Sequence, residues 1–399
     1  RLSSDPQRLS QAFLRVLKML VVPLVMASVM SGVISMGDVR RLGRPCGYAL
    51  LFFLSTTVLS VITGLLVANL FQPGMKALSP EDVEAGNLAA FASVEGAASQ
   101  AAPAGLPQTP TYGQAFEQFV LMLCPDSLFA AMAGGNLLPL ILFSVVFAGV
   151  LTTMGRRAET ISHVITGANR AMLQLVMLLM KIAPIGIFCL VAAQFGREVM
   201  KDTFVETFHS LLSYLLAVSL GVGLHLFVTL PLILFLLTRR NPYRFMFQML
   251  EALLTAFSTS SSAATLPVTM ECAMKRAGVS RRSVEFVLPL GTTVNMDGTA
   301  IYQACAALFV AQAFGIDLGI WQQLTIVLAT VLASIGTPGV PQGGLIALLI
   351  VLGAVGLPLE GKAIALIFSV DWFVDRLRTL VNVFGDAAAA AVVEKSFRK

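Results

Sequence analysis

The chain reads as long apolar stretches separated by short polar punctuation. Apolar runs of several helical turns with few charges mark helices that live in lipid. The pattern predicts helices over about residues 12–36, 46–71, 168–196, 207–237, 283–314 and 363–393. The apolar block from Ala115 to Met154 is interrupted at Cys124-Pro125-Asp126 and at Gly134-Gly135-Asn136, so it is not one straight helix. Pro184 is expected to kink the helix that carries it. Residues 75–115, rich in Ala, Gly, Pro and Ser, read as an exposed flexible loop, and 196–206 as a short polar one.

Two stretches break this rhythm. Residues 245–276 and 321–357 are apolar but interrupted at their centres, by Ser258–Pro267 and Ala333–Gly344 respectively. Each half falls short of the roughly 20 residues needed to cross a bilayer. Loop charge gives the same answer. Arg40, Arg41 and Arg44, then Arg156 and Arg157, then Arg239, Arg240 and Arg244, then Lys275, Arg276, Arg281 and Arg282 belong on one side under the positive-inside rule. The loops at 75–115, 196–206, 315–320 and 358–362 are poor in Lys and Arg and belong on the other. That parity holds only if 245–276 and 321–357 each enter and leave on one side, as re-entrant hairpins.

The last helix carries the most informative pattern. Asp371, Asp375, Arg378, Thr379, Asn382 and Asp386 fall within an arc of about 100°, at about 100° per residue. Val374, Leu377, Leu380, Val381, Phe384 and Ala388 occupy the other side. Each ionisable residue near mid-bilayer costs about 2.5–3.5 kcal/mol on insertion scales. Anchoring needs no such stripe, so this face is expected to meet polar groups, ions or a substrate inside the protein.

Composition narrows the class. Of 399 residues, 56% are hydrophobic and only 12% charged, which is the profile of a polytopic membrane protein. The net charge of +5 comes from short basic clusters between apolar runs, so the positive-inside rule explains it better than nucleic acid. Five scattered cysteines lack metal-ligand spacing and read as small hydrophobes. His163, His209 and His225 share no motif and read as satisfied or interfacial side chains. Ser260 to Ser262 have no suggestively spaced His, and no hydrolase, Walker or zinc-protease motif is present, so the chain is not read as an enzyme.

Three further segments carry chemistry. Serines in the broken first hairpin offer hydroxyls and freed backbone N–H groups where a carboxylate can bind, or else act as helix–helix glue. The two prolines and four glycines of 333–344 preclude a continuous helix. Their carbonyls suit a hard cation and their glycines a moving lid, or the segment is a structural kink. Paired interrupted segments point to a transporter site between inverted repeats. Asn295-Met296-Asp297-Gly298-Thr299 sets an amide, an acid, a glycine and a hydroxyl in mid-helix, where Gly298 can release carbonyls. Na⁺ prefers such oxygen ligands; an ion pair with an arginine is the other reading of Asp297.

These motifs, "TSSSAATLP", "NMDGTAIYQA", "ASIGTPGVPQGG" and "DWFVDRLRTLVNVFGDA", resemble the glutamate transporter family of excitatory amino acid transporters, neutral amino acid exchangers and sodium–aspartate symporters. "MLVVPLVMASVMSGV" is similar to the family's second helix, so a first transmembrane helix is expected to be missing upstream. The resemblance implies an all-α polytopic fold with two re-entrant helical hairpins and inverted repeats. It implies a homotrimer in the cell membrane working by an elevator motion, with the second hairpin as extracellular gate. It divides the chain into scaffold at 1–44, a third-helix part of the transport domain at 45–74, the loop at 75–115, scaffold at 116–205 and transport domain at 206–395.

The resemblance also implies site residues. Arg378 matches the arginine for the substrate's side-chain carboxylate, which neutral amino acid members lack, and Asp375 matches the acid for its ammonium. Thr299 and Thr379 match hydroxyls near the side chain, and Asn382 an amide near the α-carboxylate. Ser262, with backbone at Ser260, Val340 and Gly344, is the hairpin contribution. About three Na⁺ are implied as coupling ions. One set is the carbonyls of Gly291, Asn295 and Asn382 with the Asp386 carboxylate. A second is the carbonyls of Thr293, Ser334, Ile335 and Thr337. A third is Thr56, Thr57, Asn295 and Asp297 with the carbonyl of Phe53, where Tyr is usual in the family.

Several positions depart from the excitatory pattern. Gln303 stands where excitatory transporters carry a glutamate linked to proton and potassium coupling. A neutral amide carries no proton near pH 7, so sodium coupling without proton coupling is expected. Ser260 stands where archaeal members carry an arginine; Arg376 supplies one on the last helix and is expected to balance charge. Ala263 replaces a serine usual at the hairpin tip. The reading is a sodium-driven symporter of L-aspartate and L-glutamate. Its rivals are a proton-coupled C4-dicarboxylate symporter, a substrate-gated anion channel, and a sensor that binds without cycling.

Overall fold

The computed structural model describes residues 6–35, 39–75, 77, 125–134, 137–181, 204–335, 337, 339, 341, 343–357 and 362–397. No strand occurs among them. Helix α1 spans Pro6–Ser35 and α2 Val39–Phe71. Next come α3 at Leu128–Gly134, α4 at Leu137–Met154, a 3₁₀ turn at Gly155–Ala158 and α5 at Glu159–Met180. Helix α6, Phe204–Leu224, runs through one π-helical turn at His225–Thr229 into α7, Leu230–Thr238. Then follow α8 at Pro242–Gln248, α9 at Leu250–Thr259, α10 at Ser262–Glu271 and a π turn at Cys272–Arg276. The last helices are α11 at Arg281–Val294, α12 at Asp297–Ala313, α13 at Ile320–Ile335, α14 at Gly343–Ala354 and α15 at Lys362–Val393, with a 3₁₀ turn at Glu394–Phe397.

Three described segments are long and apolar enough to cross a membrane: Arg44–Phe71, Pro139–Met172 and Thr207–Thr238. The paired short helices are α9 with α10 and α13 with α14. Ten residues make a helix of about 15 Å, half a hydrocarbon core of about 30 Å. Arg276 pairs with Glu251, so the outer ends of the first pair meet and it is a helical hairpin.

Three expectations about elements need correction. The basic stretch Arg40–Arg44, read as a linker, is helical from Val39; arginine is a good helix former, and its charge marks a membrane edge rather than a helix end. Helix α5 starts at Glu159, not near residue 168. Glu159, Ser162, His163 and Thr166 in its first turns hid it from a search for apolar runs. The helix expected over 283–314 is two helices, parted at Asn295 and Met296. Pro184, most of the loop at 75–115 and Val340 lie outside the described residues.

Helix α12 is the core of the molecule. From Asp297 to Ala313 all but one of its residues are buried. Association within lipid lacks a hydrophobic drive and relies on close backbone approach and polar contacts. Gly64 of α2 supplies the approach: a Cβ there would lie 2.8 Å from the carbonyl of Ile301. Cys305 Sγ donates to the Gly64 carbonyl at 3.3 Å, and Gln312 Nε2 to the Ala68 carbonyl at 3.2 Å. Helix α15 lies along α12 and α11, its Ala387–Ala391 run buried and its Ala390 carbonyl taking the Ser283 hydroxyl at 2.6 Å.

Candidate functional site

The polar stripe of α15 faces inward. Asp371, Asp375, Arg378, Thr379, Asn382 and Asp386 are all buried, as are Asn295, Asp297 and Thr299 around the α11–α12 break. The geometry of the break follows from its residues. Asn295 caps α11 in an extended conformation (φ −97°, ψ 93°), and Met296 precedes α12. The Gly298 N–H opens α12 and is taken by Asn382 Oδ1 at 2.8 Å. Asn382 Nδ2 meets Met296 Sδ at 3.3 Å. Where the helices cross, one side chain of α15 thus satisfies the backbone freed at the break.

Glycines make that crossing possible. A Cβ at Gly298 would collide with the main chain of Arg378, one at Gly291 with the Asp386 carboxylate, and one at Gly385 with Asn295 Nδ2 at 2.6 Å. Gly298→Ala forces backbone against backbone, and overpacking costs about 1–3 kcal/mol. The expected outcome is a lower thermal midpoint and a clear fall in ligand binding; binding at the unaltered protein's level would show that α12 shifts freely.

Arg378 is the centre of the charge network. Its Nη2 donates to Asp375 Oδ1 at 2.6 Å and lies 3.1 Å from Asp371 Oδ1, and its guanidinium stacks 4.1 Å from the Tyr302 ring centroid. Gly344 of α14 abuts Nη1, where a side chain would collide. Nε and Nη1 are buried with no hydrogen-bond partner among the described residues. Such donors fit a planar anion. The two residues assigned to opposite ends of a substrate, Arg378 and Asp375, are joined to each other. Asp371 and Tyr302 complete the network and were absent from the predicted set. Arg376 does not join it: its guanidinium lies 5.2 Å from the partly exposed Trp372 ring and donates to that residue's carbonyl.

The hairpin tips meet beside this network. Ser260 takes the left-handed conformation (φ 51°) and Ser261 caps α10, its Oγ accepting from Ala264 N at 3.2 Å. The same Oγ donates to the Gly339 carbonyl at 2.7 Å, and Ala263 N donates to that carbonyl at 3.2 Å. Ser262, the expected contributor, is buried on the first turn of α10, whereas Ser261 makes the link. Ala263, which replaces the serine usual in the family, contributes to the link through its main chain.

Hydrogen bonds among the described residues link members of two of the three predicted ion sets. Asn295 Nδ2 donates to Asp386 Oδ1 at 3.0 Å, with Gly291 against the same carboxylate and Asn382 one turn away on α15. Thr57 donates to Asp297 Oδ1 at 2.8 Å, and Thr56 to the Phe53 carbonyl at 3.1 Å. Asn295 Oδ1 and Asp297 Oδ2 are buried with no hydrogen-bond partner among the described residues. Two dry oxygen acceptors fit a hard cation. For the remaining set, Thr337 N donates to the Ser334 carbonyl at 3.2 Å. No hydrogen bond joins Thr293 to Ser334 or Thr337 among the described residues, and the side chain of Ile335 lies outside them. No group of three or more His, Cys, Asp or Glu that could hold a metal occurs among the described residues.

His225 was read as satisfied or interfacial and is neither. It is fully buried, and its Nε2 lies 3.5 Å from Asp297 Oδ2. The signal was available: Tyr214, Val218 and His225 recur at helical spacing on the buried face of α6.

Comparison with known proteins places the chain in a family. The model of the Sodium:dicarboxylate symporter family matches residues 3–396. The chain is 35% identical to Excitatory amino acid transporter 3 of Mus musculus over 428 residues, covering 98% of the chain and 79% of that protein. It is 34% identical to an Excitatory amino acid transporter of Caenorhabditis elegans, covering 96% and 80%. It is 38% identical to Neutral amino acid transporter B(0) of Oryctolagus cuniculus, covering 96% and 72%.

Proposed function

The chain belongs to the sodium:dicarboxylate symporter family, and from that premise we propose that it is a secondary active, sodium-coupled symporter of L-aspartate and L-glutamate. The observation that carries the acidic substrate is Arg378. It is buried, held by two carboxylates, and keeps two donors unspent beside Gly344. A neutral side chain gives such a guanidinium nothing to bind. The similarity to acidic and neutral amino acid transporters is comparable, so the residue rather than the resemblance favours the acidic reading.

In this reading Asp375 takes the substrate ammonium, and Thr299, Thr379, Asn382, Ser262 and the backbone at Ser260, Val340 and Gly344 complete its shell. Asp386 with Gly291, Asn295 and Asn382, and Asp297 with Thr56, Thr57, Asn295 and Phe53, hold Na⁺. The carbonyls of Thr293, Ser334, Ile335 and Thr337 hold a further ion. Asp297, Asp371, Asp375 and Asp386 stand against one buried guanidinium, a net of −3 with all four ionised. Cations neutralise that charge before it moves through lipid. Three Na⁺ at a tenfold gradient supply about 4 kcal/mol. Two net charges entering with each substrate add about 2.3 kcal/mol apiece per 100 mV. Movement is by elevator: residues 45–74 and 206–395 carry the load against scaffold segments 1–44 and 116–205, with two re-entrant hairpins, in a plasma-membrane homotrimer.

The test is uptake of labelled L-aspartate into proteoliposomes. An inward Na⁺ gradient at equal pH is compared with a proton gradient lacking Na⁺. Uptake with Na⁺ alone is expected. Uptake with protons alone, matched by succinate, turns the reading to a dicarboxylate carrier. Anion current without accumulation makes it a channel, and binding without flux a sensor.

Gln303 is fully buried, and neither end of its amide has a partner among the described residues. A carboxyl group there is held neutral, because ionising it without a partner costs several kcal/mol. Gln303→Glu is therefore expected to make uptake fall as pH rises, against a flat profile in the parent. Identical profiles would remove the argument for proton-free coupling.

A further inference from the structure

We infer that His225 is a positioning residue for the cation held at Asp297, its imidazole fixing the carboxylate oxygen that Thr57 leaves unbound. The inference rests on the assignment of Asp297 to a cation site. Asp297 Oδ1 is fixed by the Thr57 hydroxyl at 2.8 Å, from α2. Oδ2 has no hydrogen-bond partner and faces two elements. From α15 it meets Gly385, where a Cβ would lie 3.5 Å away, an ordinary contact. From the π turn of α6 it meets His225 Nε2, at 3.5 Å.

The approach is built by the backbone. His225 opens the five-residue π turn His225–Thr229, and such turns are rare insertions that concentrate at functional sites. One helical turn earlier, Gly221 lets α6 close on α12: a Cβ there would lie 3.0 Å from Ile301 Cγ2. A small residue and a widened turn together carry an imidazole into a fully buried position against α12. Neither of its nitrogens has a hydrogen-bond partner in this geometry. A buried imidazole of this kind lacks the return that normally offsets its desolvation.

The gap supplies the function. At 3.5 Å, Nε2 is about 0.6 Å beyond an ordinary N–H···O distance. A small rotation of the Asp297 carboxylate toward His225 closes it. An imidazole carrying a proton on Nε2 is a donor that such an oxygen can accept from. Partners that orient metal-binding groups typically carry 10–100-fold of the affinity. His225 touches neither substrate nor ion in this arrangement; it sets the angle of the group that does.

Two measurements test this on the purified full chain without relying on transport. The first is the Na⁺ concentration that half-saturates the thermal stabilisation of the protein. His225→Leu is expected to raise it 10–100-fold, and His225→Gln, which keeps an N–H donor, to restore most of the loss. Leu226→Ala, a packing change at the next residue, is expected to lower the melting temperature without moving the Na⁺ midpoint. The second needs no change at position 225. The chain has three histidines, so ¹⁵N-histidine spectra are simple, and His163→Gln and His209→Gln assign them. Na⁺ is expected to shift the His225 resonance, with K⁺ at equal strength as control. An unmoved midpoint in His225→Leu, or an unmoved His225 resonance on Na⁺ saturation, overturns the inference while leaving Asp297 in place. No Na⁺ stabilisation in the unaltered protein overturns both.

Discussion

Arg378→Cys is expected to lower the apparent affinity for L-aspartate by about 10²–10³-fold and to open the site to neutral amino acids. The physical basis is the cost of breaking a buried ionic network, about 3–5 kcal/mol when one partner is removed. At 1.4 kcal/mol per tenfold, that range spans the stated loss. The network is compact: Nη2 serves Asp371 and Asp375, while Nε and Nη1 remain for a ligand. The variant also orphans two buried carboxylates, so it is expected to melt earlier. Adding Asp371→Asn separates the effects, because it removes one stranded charge without supplying a guanidinium. Stability is expected to recover in the double variant and aspartate uptake is not. Competition of L-aspartate and L-serine against a labelled substrate reads the change. An unaltered aspartate midpoint in Arg378→Cys would remove the guanidinium from substrate recognition.

Asp386→Asn is the second large effect, and it isolates charge from shape. The amide keeps an oxygen where Asn295 Nδ2 donates at 3.0 Å, so the α11–α15 contact persists. What disappears is one formal charge in a buried site. A unit charge about 4 Å from a cation is worth about 4 kcal/mol at an effective dielectric of 20. Even a partial loss of that size raises the Na⁺ concentration for half-maximal uptake by at least about 100-fold. The measurement is uptake against Na⁺ at fixed ionic strength, with choline as replacement. Equal Na⁺ midpoints for parent and variant would take Asp386 out of the ion site.

What the sequence made legible tracks the cost of each residue's placement. Asp371, Asp375, Arg378 and Asp386 were readable because charge in an apolar helix is expensive, and a period of 3.6 puts them on one face. Their mutual pairing was not readable, since helical spacing gives a shared face but not which neighbour wins the guanidinium. The break at Asn295–Met296 was not read from the sequence, which gave one helix over 283–314, because neither residue is a strong breaker; the unwound turn is held by Asn382 from α15, a contact 84 residues away in sequence. Three consecutive serines left the capping residue undetermined until Ser260 took the left-handed conformation and Ser261 became the cap. Arg240, paired with Glu394 at 2.8 Å, was readable as loop charge and not as the tie that binds α7 to the carboxyl-terminal turn.

The contact between hairpin tips is a shallow one. Both of its bonds end on one main-chain carbonyl, that of Gly339, and they come from the Ser261 hydroxyl and the Ala263 N–H. Net hydrogen bonds are worth about 0.5–1.5 kcal/mol each, so the pair holds the tips shut by about 1–3 kcal/mol, a ratio of about 5–150. A latch that shallow, taken alone, leaves the tips parted for about 1–20% of the time. Its keeper is a peptide group at a position that takes no side chain, since a Cβ at Gly339 would lie 2.7 Å from the Thr292 carbonyl. Of the two bolts one is main chain, so only the Ser261 hydroxyl can be filed down to shift the balance.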